Sequence, residues 1–538
     1  MRIHEIRPLP DAGEMRGWDQ AAAAFGLPEF LLMENAARAA LRALLDATGP
    51  AAGKTVWLLM GGGNNGGDAA CLARLLLDEG AHPLLIHARR LTAFRGAAGR
   101  HLRLARAADV PFAPAARHDW GADAPDILVD GLLGTGFSGL LRPDALALVR
   151  HVNALRRRSF LLSLDVPSGL DAHTGLPRPD AVRAHLTVTF EAPKPGLILP
   201  HARPFTGLLR APRIGIPLRI RRTLPPARYA IDAACASLLP APAPGSHKGS
   251  FGHVLVVGGA PGMSGAAHLA ARAALRTGCG LVSVAAPEAS CPDVRCGLPD
   301  IMTLPLHPAV PDMIWPETFP EALRQRAGSC AALVVGPGMG RRPEAASLLR
   351  ALLSLPERPA AVIDADALWH LAEDASLRAL LRPEDIITPH PGEAARLLGL
   401  RSGAEVQADR PAALAGLTAL LPCVCVLKGA GTLMARRGEP RGILPFDVPS
   451  LALAGSGDIL AGCCGALLAQ GLHGQEAAGL AALLHAEAGL DMGERYPERG
   501  SLATQTADAL PGARARLRGT SPHPPLTNLF IQPARNGA

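Results

Sequence analysis

Gly455-Ser456-Gly457-Asp458 is the sharpest chemical signal in the chain, because it stands directly before a long apolar helical run, Ile459 to Leu468. Backbone N–H groups of such a turn, at a helix N-terminus, form an anion hole. They suit the charge that develops on a phosphoryl group in transfer. Asp458, beside them, can take a proton from an acceptor hydroxyl. The plainer alternative is an acidic first-turn residue that favours the helix dipole. Neighbouring motifs weigh for the chemistry. Lys428-Gly429-Ala430-Gly431-Thr432 follows the apolar run Cys423 to Leu427 and offers a nucleotide one cation and a row of amides. Thr388-Pro389-His390-Pro391-Gly392-Glu393, Asp364-Ala365-Asp366 and Gly336-Pro337-Gly338-Met339-Gly340 each close another apolar run. Ser264-Gly265-Ala266 turns a further one into its helix.

The first half carries a second set. Gly61-Gly62-Gly63-Asn64-Asn65-Gly66-Gly67-Asp68 follows an apolar strand and opens a helix expected over 69–79. It fits G-x-G-x-x-G, and its backbone amides could meet an anion. Its amide oxygens and Asp68 could instead ligate a cation. Asp130, at the head of DGLLGTGFSGL, and Asp165, in SLDVPSGLD, sit at strand ends, where a carboxylate is a candidate base or cation ligand. Capping is the structural alternative for each. Thr187 to Phe190 and Lys194-Pro195-Gly196 form a strand that carries a cation toward the same rim.

Three other readings fail. Gly49 to Thr55 looks like a phosphate loop but is one residue short and precedes its strand instead of following it. A dinucleotide-binding reading of the first motif lacks the acid that would hold a ribose, since the next strand ends in His87-Ala88-Arg89-Arg90. His485-Ala486-Glu487 offers H-x-E, but no P-C-x-x-C follows, so a zinc deaminase is excluded.

These residues need a scaffold, and both halves repeat one grammar: a short apolar run, a glycine turn, then a helical pattern. The runs are Val56 to Met60, Pro83 to His87, Ile127 to Val129 and Phe160 to Leu164, then Val254 to Val257, Leu281 to Ala285, Leu333 to Val335, Ala361 to Ile363, Ile386 to Thr388 and Cys423 to Leu427. Such alternation predicts parallel sheets covered on both faces, with sites beyond the carboxyl ends of the strands. At 538 residues the chain exceeds what one core holds, roughly 250–300 residues. The Pro- and Arg-rich stretch from about Arg213 to Ser250 places the boundary near 220. The expected domains are therefore 1–220 and 221–519, with a frayed tail over 520–538. The net charge of +7 is thinly spread and aromatics are only 4%, so no nucleic-acid partner is expected. The longest apolar run, Ile459 to Ala469, is too short to span a bilayer and reads as a buried helix. The ten cysteines lack a CxxC and read as buried thiols of a reducing compartment. Together with an N-terminal stretch that has no apolar signal core, this gives a cytoplasmic expectation.

Met33-Glu34-Asn35-Ala36, GGGNNGGD, DGLLGTGFSGL, SLDVPSGLD and TVTF…KPG, in this order, resemble the NAD(P)H-hydrate epimerase family over roughly residues 10–215. Ala37 and Ala69 stand where that family often has Gly, changes that are conservative in size. The resemblance implies a Rossmann-like three-layer domain and epimerisation at C6 of a hydrated nicotinamide ring. It implies a substrate loop over Asn64, Asn65, Gly66, Gly67 and Asp68 and over Gly134, Thr135, Gly136, Phe137, Ser138, Gly139 and Leu140. It implies K⁺ at Asn65, Asp130 and Ser168, and Asp165 at the reacting ring as general acid/base.

SHKGSFGHVLVVGG, VVGPGMG, VIDADAL, TPHPGEAARLLG, VLKGAGT and AGSGDILAG are similar to the ADP/ATP-dependent NAD(P)H-hydrate dehydratases over about residues 225–515. Ala454 replaces a frequent Gly. This likeness implies a ribokinase-like three-layer α/β/α domain, with Ala266, Gly338, His390 and Asp458 on the hydrate. Lys428, Gly429, Ala430, Gly431, Thr432 and Gly457 would contact the nucleotide, with Asp458 as base and Mg²⁺ on phosphate oxygens, Glu393 being a candidate ligand. The implied activity is repair of NADHX and NADPHX: epimerisation, then dehydration of the S form with ADP, through a phosphorylated intermediate. A homo-oligomer is expected. Taken singly, the motifs also permit a vitamin or sugar kinase fused to a dinucleotide-binding domain. NNGGD and SLDVPSGLD speak against it, because a reductase does not need them.

Overall fold

The computed structural model describes residues 2–121, 123–308 and 313–529. The chain forms two compact units, Pro8–Arg228 and Tyr229–Asn528, the latter joined by residues 2–7. The division falls slightly beyond residue 220, after the short helix Leu218–Thr223.

The first unit is built on β1 (Thr55–Met60), β2 (His82–His87), β3 (Phe112–Pro114), β4 (Ile127–Gly131), β5 (Phe160–Leu164), β6 (Leu186–Val188) and β7 (Leu208–Arg210). Their order in the sheet is β3-β2-β1-β4-β5-β6-β7, and the pairs are parallel. Alternate residues of β1 serve opposite faces. Val56, Leu58 and Met60 pack in one core with Leu44, Leu72 and Leu102 from helices Glu29–Thr48, Asn64–Asp78 and Gly96–Ala107. Leu59 joins Leu128, Leu161, Val149 and Val152 in a second core under helix Pro143–Leu155. The result is the expected three-layer arrangement. Strand order reverses at β1, so a crevice opens between the ends of β1 and β4. The loops after β1, β4 and β5 carry the first set of motifs.

Two local features explain details of that rim. The phosphate-loop lookalike is a helix end and a turn: Gly49 terminates helix Glu29–Thr48, and the Lys54 N–H donates to Ala51 O before β1 begins. The helix after β1 starts at Asn64, earlier than expected, so NNGGD lies inside it. Gly66 and Gly67 make that possible. A Cβ on Gly66 would lie 2.1 Å from Gly61 O, and one on Gly67 would lie 2.7 Å from Ala98 Cβ.

The second unit has β8 (Arg228–Ala230), β9 (His253–Val257), β10 (Leu281–Pro287), β11 (Met302–Leu306), β12 (Ala332–Val335), β13 (Ala361–Ile363), β14 (Ile386–Ile387), β15 (Val424–Leu427), β16 (Thr432–Ala435) and β17 (Arg441–Leu444). The order is β11-β10-β9-β12-β13-β14-β15-β16-β17-β8. Pairing is parallel from β11 to β15 and antiparallel through β16 and β17. Helix Ser456–Ala469 packs on helices Ser264–Arg276 and Gly474–Arg495 and on β9, β12 and β13. It is buried along nearly its whole length, as its unbroken apolar run demands. Among the described residues, no helix is long and apolar enough to cross a membrane.

The frayed tail is corrected over part of its length. Thr527 is fully buried, and its N–H and hydroxyl donate to Glu487 Oε2 at 2.9 and 2.8 Å. The Leu526 N–H and Arg516 Nε donate to Glu487 Oε1, each at 2.9 Å. A carboxylate with no exposure on a core helix must find donors, and the tail supplies them. Residues 530–538 lie outside the described residues.

Candidate functional site

The crevice of the first unit is a cavity of ≈ 740 Å³. Its walls include Gly61 to Asn65 and Asp68 from the β1 turn, Leu132 to Ser138 and Leu140 from the loop after β4, and Asp165 beyond β5. Of the expected substrate residues, Asn64, Asn65, Asp68, Gly134, Thr135, Gly136, Phe137, Ser138, Leu140 and Asp165 line it. Gly66, Gly67 and Gly139 do not; Gly66 lies against the β1 turn at Gly61 O and Gly67 against Ala98. Gly61 holds the turn closed, since a Cβ there would fall 1.7 Å from Leu132 O.

Asp165 occupies the left-handed region with φ 61°, a cost for a residue with a Cβ and a common mark of functional positions. Lys194 Nζ donates to its Oδ1 at 2.6 Å, and the Thr135 N–H donates to Oδ2 at 3.2 Å. Thr189 Oγ1 lies 3.3 Å from Oδ1 and also accepts from Lys194 at 2.8 Å. Burial pushes the carboxyl up, but Lys194 and these donors outweigh it and hold it below its ordinary value. Asp68 goes the other way, raised well above the usual range by burial and by the Asp165 charge. Asp19, on helix Ala12–Ala24, also lines the cavity, and burial lifts it to about 6. One cavity thus holds an ionised carboxylate and two carboxyls biased toward protonation, the division that acid/base chemistry needs.

Asp130 lies behind this wall with no exposure. Its carboxylate accepts from Ser168 Oγ at 2.5 Å, Ser168 N at 2.8 Å, Ser163 Oγ at 3.0 Å and Leu132 N at 3.3 Å. Leu133 connects the expected cation ligands. Its carbonyl accepts from Asn65 Nδ2 at 2.7 Å and its N–H donates to Ser168 Oγ at 2.9 Å. Asn65 Oδ1 is buried and has no partner.

In the second unit, a cavity of ≈ 520 Å³ opens at the ends of β13, β14 and β15. Asp364, His390, Glu393, Lys428, Gly429, Ala430, Thr432, Gly457 and Asp458 line it. Lys428 Nζ lies 3.0 Å from Asp364 Oδ1 and 3.8 Å from Glu393 Oε2. Two carboxyls therefore share one ammonium, and the charge of Asp458 also reaches it. Burial and the Asp364 charge push Asp458 up to about 7, despite Lys428. Burial likewise lifts Glu393 to about 7. His390 caps helix Pro391–Leu398, its Nδ1 accepting from the Gly392 N–H at 3.0 Å and the Glu393 N–H at 3.3 Å. An accepting Nδ1 makes Nε2 the donor of the neutral ring. Ala266 and Gly338 are brought together, a Cβ on Gly338 lying 3.2 Å from Ala266 Cβ, but neither lines this cavity. Gly431 also stands outside the lining.

Sequence reasoning missed Asp19, gave Thr189 and Ser456 no role of their own although both lie inside quoted motifs, and weighed His485 only as part of an H-x-E triplet. Asp19 sits in an unremarkable amphipathic helix, and only the fold brings it to the rim. Asp364 was recognisable as the residue closing β13, but its pairing with Lys428 needed the parallel neighbours β13, β14 and β15.

Residues 29–196 match the family described as YjeF-related protein N-terminus, and residues 254–512 match NAD(P)H-hydrate dehydratase. The chain is 36% identical to a bifunctional NAD(P)H-hydrate repair enzyme of Moorella thermoacetica over 94% of this chain and 96% of that one. The Escherichia coli K12 enzyme of the same description is 33% identical over 92% and 91%. The solved ADP/ATP-dependent NAD(P)H-hydrate dehydratase of Bacillus subtilis, co-crystallised with ATP and Mg²⁺, aligns at 26% identity and a TM-score of 0.43, covering 53% of this chain and 96% of that one. On that near full-length identity, the chain belongs to the bifunctional NAD(P)H-hydrate repair enzymes, which join an NAD(P)HX epimerase to an ADP/ATP-dependent NAD(P)HX dehydratase.

Proposed function

We propose that the Pro8–Arg228 unit epimerises R- and S-NAD(P)HX with Asp165 as its proton-transfer residue. The Tyr229–Asn528 unit then dehydrates the S form with Asp458 as base. The observation that carries the first assignment is the buried Lys194–Asp165 pair facing a cavity that also holds Asp68. Asp165 as carboxylate takes the proton of the C6 hydroxyl as the C6–N1 bond breaks, its electron pair passing to N1 in conjugation with the carboxamide; the open-chain aldehyde turns its other face, N1 re-forms the bond to C6, and Asp165 returns the proton to the oxygen. Asp68, biased toward its protonated form, offers a hydrogen bond to a ring substituent. The glycine-rich loop leaves room for a planar ring close to the backbone.

K⁺ fits beside this cavity. Asn65 Oδ1 is an orphaned buried acceptor, and no ion pair reaches Asp130 among the described residues. Asn65, Asp130 and Ser168 would hold the ion, whose charge would steady the loop after β4 against an anionic substrate.

For the second unit, ADP is the proposed donor. Lys428 and the amides of Gly429, Ala430, Gly431, Thr432 and Gly457 bind its phosphates, and Asp458 takes the proton of the S-hydrate hydroxyl as that oxygen attacks the terminal phosphorus and AMP leaves. The phosphate ester formed is a better leaving group than hydroxide, and its loss from C6, together with a proton from C5, restores the dihydronicotinamide. Ala266, Gly338 and His390 are proposed to hold the hydrate. A divalent cation suits the surplus of carboxyl groups over Lys428, with Glu393 and Asp364 the residues to hold Mg²⁺, which would screen phosphate charge. We also propose a cytoplasmic homo-oligomer, for which light scattering gives the subunit number.

Mixed R- and S-NADHX incubated with ADP, followed by absorbance of reduced nicotinamide, tests the whole reading. The wild type converts both epimers. Asp165→Asn converts the S form at full rate and the R form only as fast as spontaneous epimerisation, and Asp458→Asn converts neither. Full conversion of R by Asp165→Asn, or dehydration by Asp458→Asn, overturns the corresponding assignment.

A further inference from the structure

Ser456 Oγ and His485 Nε2 lie 3.3 Å apart in the second cavity, and nothing above employs them. Both side chains belong to nearly buried residues, 9% and 7% exposed, on the packed helices Ser456–Ala469 and Gly474–Arg495. Ser456 is the first residue of its helix, directly after Gly455, and precedes Gly457 and Asp458. Its hydroxyl therefore belongs to the same turn as the amides proposed to meet the transferred phosphoryl group. Burial, aided by the Lys428 charge, pulls His485 down to about 4, so the ring is neutral at neutral pH.

A neutral imidazole carries one N–H and one lone pair. If Nε2 holds the lone pair, it takes the serine proton, and Ser456 turns oxygen lone pairs toward an anion. If Nε2 holds the proton, it donates to Ser456 Oγ, and the serine O–H is free to donate into the cavity. Only the second arrangement is attractive to a phosphoryl oxygen. We propose that His485, as its Nε2–H tautomer, is a positioning residue that aims the Ser456 hydroxyl at the phosphoryl group transferred in the dehydratase reaction. The inference rests on the reading that places the nucleotide phosphate beside Gly457.

The test uses the full chain. His485→Ala lowers kcat of ADP-dependent dehydration of S-NADHX by about 100–1000-fold, the order expected for losing one donor to developing charge. KM for ADP stays within about twofold, because the hydroxyl acts mainly on charge that grows in the transition state. Ser456→Ala has the same effect, and the double variant is no slower than either single one. His485→Gln, whose amide N–H reaches the Nε2 position, recovers most of kcat, whereas His485→Asn does not. Thermal melts of the Tyr229–Asn528 unit and ADP binding by each variant report whether that unit has folded. Nitrogen-15 shifts of histidine-labelled wild type show His485 protonated at Nε2. An unchanged kcat in His485→Ala, equal losses in the Gln and Asn variants, or a proton on Nδ1 would overturn the proposal. Activity retained by Asp458→Asn would instead overturn the site reading beneath it.

Discussion

Lys194 Nζ sits 2.6 Å from Asp165 Oδ1, with 2% of the lysine side chain and 14% of the aspartate exposed. The ammonium spends its other hydrogen bonds on Thr189 Oγ1 and Phe190 O, so it is fixed rather than free to swing. Removing one partner of such a pair leaves a buried charge uncompensated, at a cost of about 3–5 kcal/mol. Lys194→Met should therefore destabilise the first unit and cut epimerisation while sparing dehydration of the S form. The sign with pH follows from the lowered Asp165 carboxyl. A depressed carboxyl contributes stability above its unfolded value and loses it as pH falls through the folded one. The gap in thermal midpoint between wild type and Lys194→Met should thus be widest at neutral pH and narrow in acid. A gap that widens in acid would sink the assignment.

Asp458 and Glu393 are both lifted to about 7; Glu393 shares Lys428 with Asp364, and the charge of Asp458 also reaches it. A base must be ionised to accept a proton, so dehydratase kcat/KM should fall on the acid side of about pH 7. The limb belongs to the group of carboxyls as a set, not to one residue. Asp364→Asn removes a negative neighbour, which lowers the carboxyl of Asp458 and moves the limb to lower pH. A pH–rate profile flat from pH 5 to 8 would contradict this.

Asn65 Oδ1 has no partner among the described residues, whereas Asn65 Nδ2 is tied to Leu133 O. On the proposed reading, in which this open acceptor holds K⁺ with Asp130 and Ser168, epimerisation should be sensitive to the monovalent cation. Exchange of K⁺ for a bulky organic cation should slow epimerisation about tenfold or more, within the 10–100-fold range of lost metal-site contacts. Dehydration of S-NADHX by the second unit is read in the same tube and should not respond through this site. Asn65→Ala should epimerise slowly in every salt. A variant that keeps the wild-type K⁺ response would remove Asn65 from the site.

The contrast between the two units shows what sequence pattern carries. Strands β1, β2, β4 and β5 of the first sheet and β9, β10, β12, β13, β14 and β15 of the second were legible because strands buried on both faces read as continuous apolar runs. β3 and β7 are three-residue edge elements with mixed burial, and β16 and β17 form an antiparallel extension behind a loop already assigned to a nucleotide. Their patterns are too short or too ambiguous to separate from turns. Motif residues near strand ends lie along the two cavities, whereas a Cβ on Gly66 would meet the β1 turn at Gly61 O and one on Gly67 would meet Ala98. Asp19 and His485 reached the sites through tertiary packing, which no local spacing encodes, whereas Ser456 stood inside the Gly455–Asp458 motif without a role of its own. Glu487, met in the sequence as half of an H-x-E triplet, turned out to anchor the chain at Leu526 and Thr527.

The Arg358–Asp385 pair is the counterpart of Lys194–Asp165 without a cavity. Both side chains have zero exposure, and the guanidinium meets the carboxylate through two bonds of 2.7 and 2.6 Å. Asp385 also accepts from the Ala361 N–H at 2.9 Å and the Arg382 N–H at 2.7 Å, so it ties the start of β13 to the start of β14. These are the amino ends of strands whose carboxyl ends carry Asp364 and His390. Asp385→Ala should lower the stability of the second unit by about 3–5 kcal/mol, because Arg358 is left buried and unpaired. Arg358→Leu combined with Asp385→Leu should lose less than the sum of the single changes, since neither charge is then stranded. Its loss stays above zero because the Ala361 and Arg382 N–H groups still lack an acceptor. Denaturant melts of the four proteins measure the coupling, and dehydratase kcat per folded molecule should be unchanged in each. Strict additivity in that cycle would mean the pair does not act as a unit.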